Sequence, residues 1–352
     1  MAGTRGSGGW RGLAGVALLW LLAGACAPTP AAPAAPAPGA AAAPQPAPRE
    51  PTTVEVGVIS ITLGYWPNWV GEAKGFFADE GIRNEITTTR SMTNGLSALS
   101  GGSLHLLGGS PTAFIQAVEH GADLIAVASG QRDPAYSLIA RPEIGAVEDL
   151  RGRTVAVSAL NGGDTVILRK LLLARGLRES DVDFTIAGGT PERYAAMASG
   201  GAVAALLSQP QDLQALAQGY RRLALSTEVL QEYQYNSWVV RRDWAQNNED
   251  TLVRWLRAYA RASRWLNDPA NREEAIAIGA ERTKADVDIV RQTYDLLLQQ
   301  LAGRVFPADP VVSLPGLRVA LEDMVAVGDL PPPPPPPEKY VDGRYLERAK
   351  QS

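Results

Sequence analysis

From residue 54 onward, short apolar segments alternate with segments whose apolar residues recur at helical spacing. Residues 54–61 (VEVGVISI) are rich in β-branched side chains and predict a first strand. Pro67 suits the first turn of the helix that should follow. Buried strands are also predicted at 124–128 and 154–158. This alternation predicts an α/β fold with mostly parallel sheets flanked by helices.

The last third of the chain has a mainly helical pattern. The sequence predicts helices there at 249–267, 270–279, 284–301 and 316–326, with a last short helix at 342–349, after an earlier helix at 166–174 within the alternating region. Seven consecutive prolines at 331–337 predict a stiff, exposed segment.

Two segments about 100 residues apart resemble each other. Residues 100–111 (SGGSLHLLGGSP) and 199–210 (SGGAVAALLSQP) share Ser-Gly-Gly at the start and Pro at the end. Each predicts a turn, an apolar strand and the start of a helix. The repeat therefore favours two similar α/β lobes, and open α/β sheets bind ligands at the carboxyl ends of their strands.

The N-terminal residues have the layout of a secretory signal. Arg5 and Arg11 precede an apolar run at 13–22, and small residues lead to Cys26, the only cysteine in the chain. This order resembles the bacterial lipoprotein signal, although Ala23 stands where that signal usually has leucine. We expect a signal peptide at 1–25 and a lipid on Cys26. The Ala/Pro-rich linker at 26–50 should be extended. The alternative is a plain signal peptide with an incidental cysteine.

Composition excludes several classes of function. The net charge is -4, so the chain lacks the basic character of nucleic-acid-binding proteins. With one cysteine it forms no intrachain disulfide, and with two histidines it has no zinc-ligand spacing. No motif of a hydrolase, metalloprotease or nucleotide-binding loop is present. We therefore expect no catalytic residue, no metal and no cofactor.

Three segments resemble the substrate-binding proteins of ABC importers of the sulfonate/nitrate/taurine and thiamine-precursor (pyrimidine) type. These are 64–82 (GYWPNWVGEAKGFFADEGI), 96–129 (LSALSGGSLHLLGGSPTAFIQAVEHGADLIAVAS) and 148–177 (EDLRGRTVAVSALNGGDTVILRKLLLARGL). The resemblance covers nearly all of the chain after residue 52. The family often has an acidic residue after the small-residue turn of each lobe, where this chain has His105 and Ala204.

The resemblance implies the two-lobed periplasmic-binding-protein type II fold, in which each lobe is a mostly parallel sheet flanked by helices. The two interlobe crossings would fall at 137–141 and 236–240. The first lobe would then comprise 51–141 and 236–352, with the second at 142–235. Lobe closure around a solute would be coupled to recognition by the membrane partner.

Residues that could bind ligand come from the predicted strand-to-helix turns. Glycines let a ligand approach the backbone, hydroxyls and helix N–H groups bind polar atoms, and Tyr65, Trp66 and Trp238 could stack on a planar ligand. The candidates are Leu63, Gly64, Tyr65, Trp66, Gly109, Ser110, Gln131, Ser158, Asn161, Gly162, Gly163, Asp164, Thr165, Gly189, Thr190, Gln209 and Trp238.

Several of these residues have a purely structural alternative. Ser110, Asp164 and Thr190 could serve only as helix N-caps. Trp66 could belong to the core. A single arginine such as Arg193 is expected at the solvated surface, and His105 on an apolar strand is expected to be structural.

The function predicted from these features is capture of a small organic solute outside the cytoplasm, followed by delivery to an ABC permease and its ATPase. The aromatic first turn favours a heterocyclic, vitamin-like solute such as a pyrimidine or flavin. A sulfonate, taurine or nitrate-type anion is the alternative. An enzyme or a sensor on the same scaffold is the alternative of another class. The protein is expected to be a lipid-anchored monomer on the periplasmic or exterior face of the cell membrane.

Overall fold

The computed structural model describes residues 51–160, 162–230 and 232–351. The predicted signal, Cys26 and the Ala/Pro linker lie outside these residues, as does Asn161. No helix within the described ranges combines the length and the apolar character needed to cross a bilayer.

Ten strands and thirteen α-helices alternate through the described residues. The strands are β1 Thr52–Val58, β2 Ile82–Thr88, β3 Leu106–Gly109, β4 Leu124–Gln131, β5 Ser137–Ala140, β6 Thr154–Val157, β7 Asp183–Ile186, β8 Ala204–Leu207, β9 Arg221–Leu225 and β10 Asn236–Arg241. The helices are α1 Trp66–Ala73, α2 Phe76–Asp79, α3 Met92–Ser100, α4 Pro111–Glu119, α5 Gly163–Ala174, α6 Thr190–Ala198, α7 Gln211–Ala217, α8 Arg242–Asn247, α9 Glu249–Asn267, α10 Arg272–Thr283, α11 Val287–Tyr294, α12 Leu314–Ala326 and α13 Arg344–Gln351. A π-helical segment, Asp295–Gln300, continues α11.

The strands form two five-stranded sheets. The first has the order β2-β1-β3-β10-β4 and the second the order β7-β6-β8-β5-β9. In each sheet one strand is antiparallel to its neighbours, β10 in the first and β5 in the second. The other pairs are parallel. The expected α/β architecture of two lobes with mostly parallel sheets is confirmed.

The chain crosses from one sheet to the other immediately before each antiparallel strand. The chain leaves β4 of the first sheet and enters β5 of the second, and it later leaves β9 of the second sheet and enters β10 of the first. The connecting segments are 132–136 and 226–235, so they precede the predicted crossings by a few residues. The lobe limits given by the sequence remain a prediction, and each lobe is named below by its sheet.

The internal repeat corresponds to equivalent positions in the two sheets. β3 pairs with β1 and with the antiparallel β10, and β8 pairs with β6 and with the antiparallel β5. Pro111 opens α4 after β3, and Pro210 caps α7 after β8. The matching strand orders explain why the two segments share turn residues and apolar positions.

The core of the first lobe is unusually aromatic. Trp66, Trp69, Trp238 and Trp255 are all at most 1 % exposed. Trp238 packs edge-on against Trp255, with ring centroids 5.1 Å apart. Burial of such large rings adds to the hydrophobic stabilisation of this lobe.

The chain after the proline run is fastened to the first lobe. The Tyr340 hydroxyl donates a hydrogen bond to Glu119 Oε1 at 2.6 Å, and Lys339 Nζ lies 2.6 Å from the same oxygen. The backbone N–H of Asp342 donates to the carbonyl of Ala126 in β4 at 2.9 Å. Most of the proline run itself is exposed, as predicted.

This fastening predicts a pH dependence of stability. Hydrogen bonds from Lys339 and Tyr340 lower the pKa of Glu119, so the ionised form stabilises the fold above its usual pKa and loses that effect as pH falls through the lowered value. We expect Glu119→Gln to reduce the free energy of unfolding at pH 7 by about 1 kcal/mol or less, because the pair is partly solvated. Denaturant unfolding at pH 7 and in acid measures this, and the difference from wild type should shrink in acid. An undiminished difference in acid, or an equal effect of Glu148→Gln at the exposed Glu148, contradicts the prediction.

Candidate functional site

A cavity lies where the carboxyl ends of strands from the two sheets face each other. Its volume is about 70 Å³, measured as the space open to the centre of a water molecule. At roughly 10–15 Å³ for one water, this is room for about five waters. The first lobe contributes the turn after β1 and the start of α4, and the second contributes the starts of α5 and α6 and the end of β8.

Most of the residues predicted from the sequence line this cavity. They are Gly64, Tyr65, Gly109, Ser110, Gln131, Ser158, Gly162, Gly163, Asp164, Gly189, Thr190 and Gln209. The structure thus brings together turns from both lobes, as the strand-end argument expects. Whether they bind a ligand stays a prediction.

Both tryptophans proposed to stack on a ligand lie elsewhere. Trp66 is fully buried, donates its indole N–H to the Ala275 carbonyl at 3.1 Å and packs edge-on against Tyr294 at 5.9 Å. Trp238 belongs to the aromatic core of the first lobe. Neither lines the cavity in the described residues. Their packing in the core favours the structural alternative for Trp66, and a role of either ring in stacking on a ligand stays a prediction.

Leu63 and Thr165 also face away from the cavity. The Leu63 side chain is in the core, and Thr165 donates its hydroxyl to the Ala159 carbonyl at 2.6 Å. Asn161 is outside the described residues, so its predicted role remains open to experiment.

The helix caps differ from the expected ones. Gly162 caps α5 and Gly189 caps α6, so Asp164 and Thr190 lie inside the first turns of these helices. Ser110 occupies the N-cap position of α4, but its hydroxyl bonds to the Thr112 hydroxyl at 3.0 Å instead of capping the helix. Three helix N-termini therefore meet at the cavity, where first-turn N–H groups favour ligand oxygens.

A buried ion pair forms part of the second-lobe wall. Arg193 Nη1 lies 3.3 Å from Asp164 Oδ2, and the two side chains are 3 % and 5 % exposed. The guanidinium also donates to the carbonyls of Leu206 and Gly188 and to the Thr190 hydroxyl. The expectation that Arg193 is solvated is wrong, because its charge is paired with a carboxylate that is nearby only in the fold.

Arg193 retains a hydrogen that could reach a ligand. A guanidinium has five N–H donors. Three donate to Leu206, Gly188 and Thr190, and Asp164 lies 3.3 Å from Nη1 as an ion-pair partner, so one N–H of Nη2 has no partner among the described residues. Since the charges of Arg193 and Asp164 balance, this wall is polar with no net charge.

Other lining residues were missed by the sequence reasoning. They are Ile59, Ser60, Thr62, Met92, Ala135, Tyr136, Arg193, Ser208, Tyr235 and Asn236. Three of them follow β1, which ends at Val58, three residues before the predicted end. Four others come from the segments that connect the lobes and from the first residue of β10. Correct prediction of the connecting segments would have identified these last four residues.

The connecting segments meet at a pair of tyrosines. The Tyr235 hydroxyl donates to the Tyr136 hydroxyl at 3.1 Å, and the rings are edge-on at 5.4 Å. Burial raises the pKa of both phenols, so they stay neutral and can donate or accept hydrogen bonds at the cavity.

Gln209 is held in one orientation by a buried carboxylate. Its amide nitrogen donates to the Ala135 carbonyl at 2.6 Å and to Asp212 Oδ2 at 2.9 Å. Asp212 also accepts from the Ser137 hydroxyl at 2.7 Å. Burial raises the pKa of Asp212, while hydrogen bonds and the nearby Arg222 oppose the shift.

The two lobes touch across the cavity. The Leu63 N–H donates to the Gln209 carbonyl at 3.1 Å, which joins the first lobe to the second. A Cβ built on Gly163 of α5 would lie 2.6 Å from the Ser110 Cβ at the start of α4. The molecule is therefore in a closed state, and glycine is required at this contact for steric reasons.

Neither histidine takes part in the site. His105 accepts the Glu55 N–H at 3.0 Å and stacks on Trp244, which confirms its structural role. His120 lies in the exposed turn after α4. The described residues contain no cluster of His, Cys, Asp and Glu suited to a metal.

Two lobes of this topology around a closed cleft define the periplasmic-binding-protein type II fold. The chain belongs to the NMT1-like family, whose model matches residues 47–280. It is 24% identical over 289 residues to YtlA of Bacillus subtilis (strain 168), a protein named for a binding role, and the match covers 80% of this chain and 85% of YtlA.

Solved structures of the same fold cover nearly all of the described chain. The alkanesulfonate-binding protein SsuA from Xanthomonas axonopodis pv. citri, bound to MOPS, is 20% identical with a TM-score of 0.67, over 83% of this chain and 99% of SsuA. The periplasmic nitrate-binding protein NrtA from Synechocystis PCC 6803 is 17% identical with a TM-score of 0.72, over 86% of this chain and 89% of NrtA.

Proposed function

We propose that the chain is the extracytoplasmic solute-binding component of an ABC importer. Its lobes close over a small organic solute and deliver it to a permease and ATPase. The family, the fold and the similarity to the binding proteins SsuA and NrtA support this role. Hinge closure would report ligand occupancy to the membrane partner.

The observation that carries the proposal is the closed cavity between the strand ends of both lobes. Every one of its walls comes from a strand-to-helix turn or from a connecting segment, so opening the lobes would expose the whole site. No histidine or cysteine lines it among the described residues, which leaves binding as its simplest use.

Two solute classes are candidates for this cavity. A small heterocycle such as a pyrimidine is supported by Tyr65, Tyr136 and Tyr235, which replace the two tryptophans as the aromatic wall. A sulfonate, taurine or nitrate-type anion is supported by the three helix N-termini and the spare Arg193 donor.

The proposed cellular location of the protein is based on its N-terminal segment. We propose that Cys26 bears a lipid and that residues 26–50 hold a monomeric receptor away from the outer face of the cell membrane. An extended segment of this length could reach roughly 70 Å at ~3.1 Å per residue.

Native mass spectrometry of the chain from residue 51 onward tests the receptor role. We expect a discrete added mass that denaturation releases unchanged. Where the protein is isolated free of solute, titration with pyrimidines, sulfonates, taurine and nitrate should give saturable heats. The absence of both a retained mass and any saturable heat contradicts the proposal, and chemical conversion of the bound solute favours an enzyme instead.

A further inference from the structure

Two glutamine amides on the cavity wall have hydrogen-bonding capacity that the protein does not use. Gln209 is 4 % exposed and Gln131 is 7 % exposed, and both line the cavity. Polar groups buried to this degree are normally paired, because an unpaired one loses its hydration without replacement. Their unused atoms therefore indicate what the solute must supply.

At Gln209 the free atom is an acceptor. Both amide hydrogens are engaged, one by the Ala135 carbonyl and one by Asp212 Oδ2. A carbonyl accepts only, and the carboxylate of Asp212 also accepts from the Ser137 hydroxyl and the Leu213 N–H. These partners determine which side of the amide is nitrogen, so Oε1 is the atom left without a partner among the described residues.

At Gln131 the whole amide group is free. Its backbone carbonyl accepts from the Gln234 side chain and the Tyr235 N–H, but neither side-chain atom has a partner within the described ranges. Oε1 would lie 3.3 Å from a Cβ built on Gly64, so the amide lies beside the first-lobe turn that lines the cavity. This group offers a carbonyl oxygen as acceptor and an NH2 group with two N–H donors side by side.

We infer that the site selects solutes that carry an N–H or O–H donor and rejects solutes that only accept hydrogen bonds, with Gln209 as the selecting residue. The inference rests on the proposed receptor function and narrows its ligand. Nitrate and simple alkylsulfonates have no donor to offer Gln209 Oε1. An amide, ureide, lactam or amino-bearing solute has one, and its acceptors match the spare donors of Gln131 and Arg193.

Asp212 is a positioning residue in this scheme. It does not line the cavity, but it prevents the Gln209 amide from rotating, because rotation would direct Oε1 at two acceptors. An asparagine at 212 can offer its own N–H to Oε1. The Gln209 amide is then held in its orientation by the Ala135 carbonyl alone, so it can turn its nitrogen into the cavity more easily, and the preference for donors should weaken.

Matched solute pairs test the inference by isothermal titration. Uracil is compared with 1,3-dimethyluracil, and taurine with 1-propanesulfonate. The second member of each pair lacks the N–H donors; it is also bulkier in the uracil pair and differs in net charge in the sulfonate pair, so the same result in both pairs isolates the effect of the donors. We expect the donor-bearing member of any pair that binds to do so about tenfold or more tightly, since its partner leaves Oε1 buried and unpaired. Nitrate should bind more weakly than either donor-bearing solute.

Two variants separate selection from folding. Asp212→Asn should lower the affinity ratio within a pair, whereas Asp288→Asn at an exposed carboxylate should leave it unchanged. Since Asp212 is buried, its substitution could impair folding, so Gln209→Met serves as a second variant. It should lower the affinity for the donor-bearing solute and leave the affinity for its donor-free partner nearly unchanged. Thermal unfolding verifies that each variant is folded.

The outcomes distinguish this inference from the receptor role. Equal or tighter binding of the donor-free solutes by the wild-type protein overturns donor selection and leaves the receptor function standing. An unchanged ratio in folded Asp212→Asn and Gln209→Met also overturns the role of Gln209. Failure of every solute to bind, with no mass retained in native spectra, overturns the proposed function and this inference with it.

Discussion

Replacing Arg193 by methionine should lower the free energy of unfolding by about 3–5 kcal/mol, the range expected when one partner of a buried ion pair is removed. Methionine fills much of the space but leaves the Asp164 carboxylate without its cation. The carbonyls of Leu206 and Gly188 lose a donor as well. Because Arg193 also lines the cavity, solute affinity should fall in the protein that still folds. Urea unfolding monitored by circular dichroism measures the stability change.

Two further variants show whether the unpaired, buried carboxylate of Asp164 causes the loss of stability. Adding Asp164→Asn to Arg193→Met should restore part of the lost stability, because no unpaired carboxylate remains. Arg151→Met removes a solvated cation that is 60% exposed and paired with Asp181, so its effect should be below about 1 kcal/mol. If Arg193→Met lowers the free energy of unfolding as little as Arg151→Met does, the buried ion pair does not stabilise the fold to the extent that its geometry implies.

Gly163→Ala should weaken solute binding about 10- to 100-fold while leaving each lobe intact. The new methyl group would lie 2.6 Å from the Ser110 Cβ and 3.0 Å from the Tyr235 ring, closer than Cβ atoms pack. The contact with Ser110 lies across the cleft, so opening the lobes relieves it at the expense of the closed state. Overpacking of this kind amounts to about 1–3 kcal/mol, which corresponds to the stated loss of affinity.

A matched glycine controls for the substitution itself. A Cβ on Gly145 of the second lobe would meet its nearest atom at 3.5 Å, an ordinary contact, so Gly145→Ala should bind solute as wild type does. Small-angle scattering should show Gly163→Ala more open than wild type in saturating solute. Unchanged affinity, or an effect equally large in Gly145→Ala, would count against closure as the binding step.

The fold was predictable because its signals are local. Alternating strand and helix patterns, with the repeat at 100–111 and 199–210, give two sheets of one topology, and the strand ends then indicate where a ligand would lie. The boundary of β1 was less predictable. Its residues favour a strand to Ile61, but β2 pairs with it only as far as Val58. The length of β1 therefore depends on where its partner β2 ends. The residues of β1 contain no information about that position.

The side-chain directions at the site depend on distant residues. Trp66 opens α1, and whether it faces ligand or core depends on α10 and α11, which follow it by about 200 residues and provide Ala275 and Tyr294. Arg193 is buried because Asp164 meets it from another helix. Periodicity predicts that a face is apolar or polar, but it does not predict which distant element covers that face.

The position of β10 has a consequence for how the chain can be assembled. β4 ends at Gln131 and β10 begins at Asn236, yet β10 lies between β3 and β4 in the first sheet. The second sheet uses only β5 to β9, which are contiguous in the chain. The second sheet can therefore be completed while β3 and β4 still have unpaired edges, since distant pairing requires closure of a longer loop. The chain is therefore most prone to aggregate before β10, which ends at residue 241, has paired with β3 and β4.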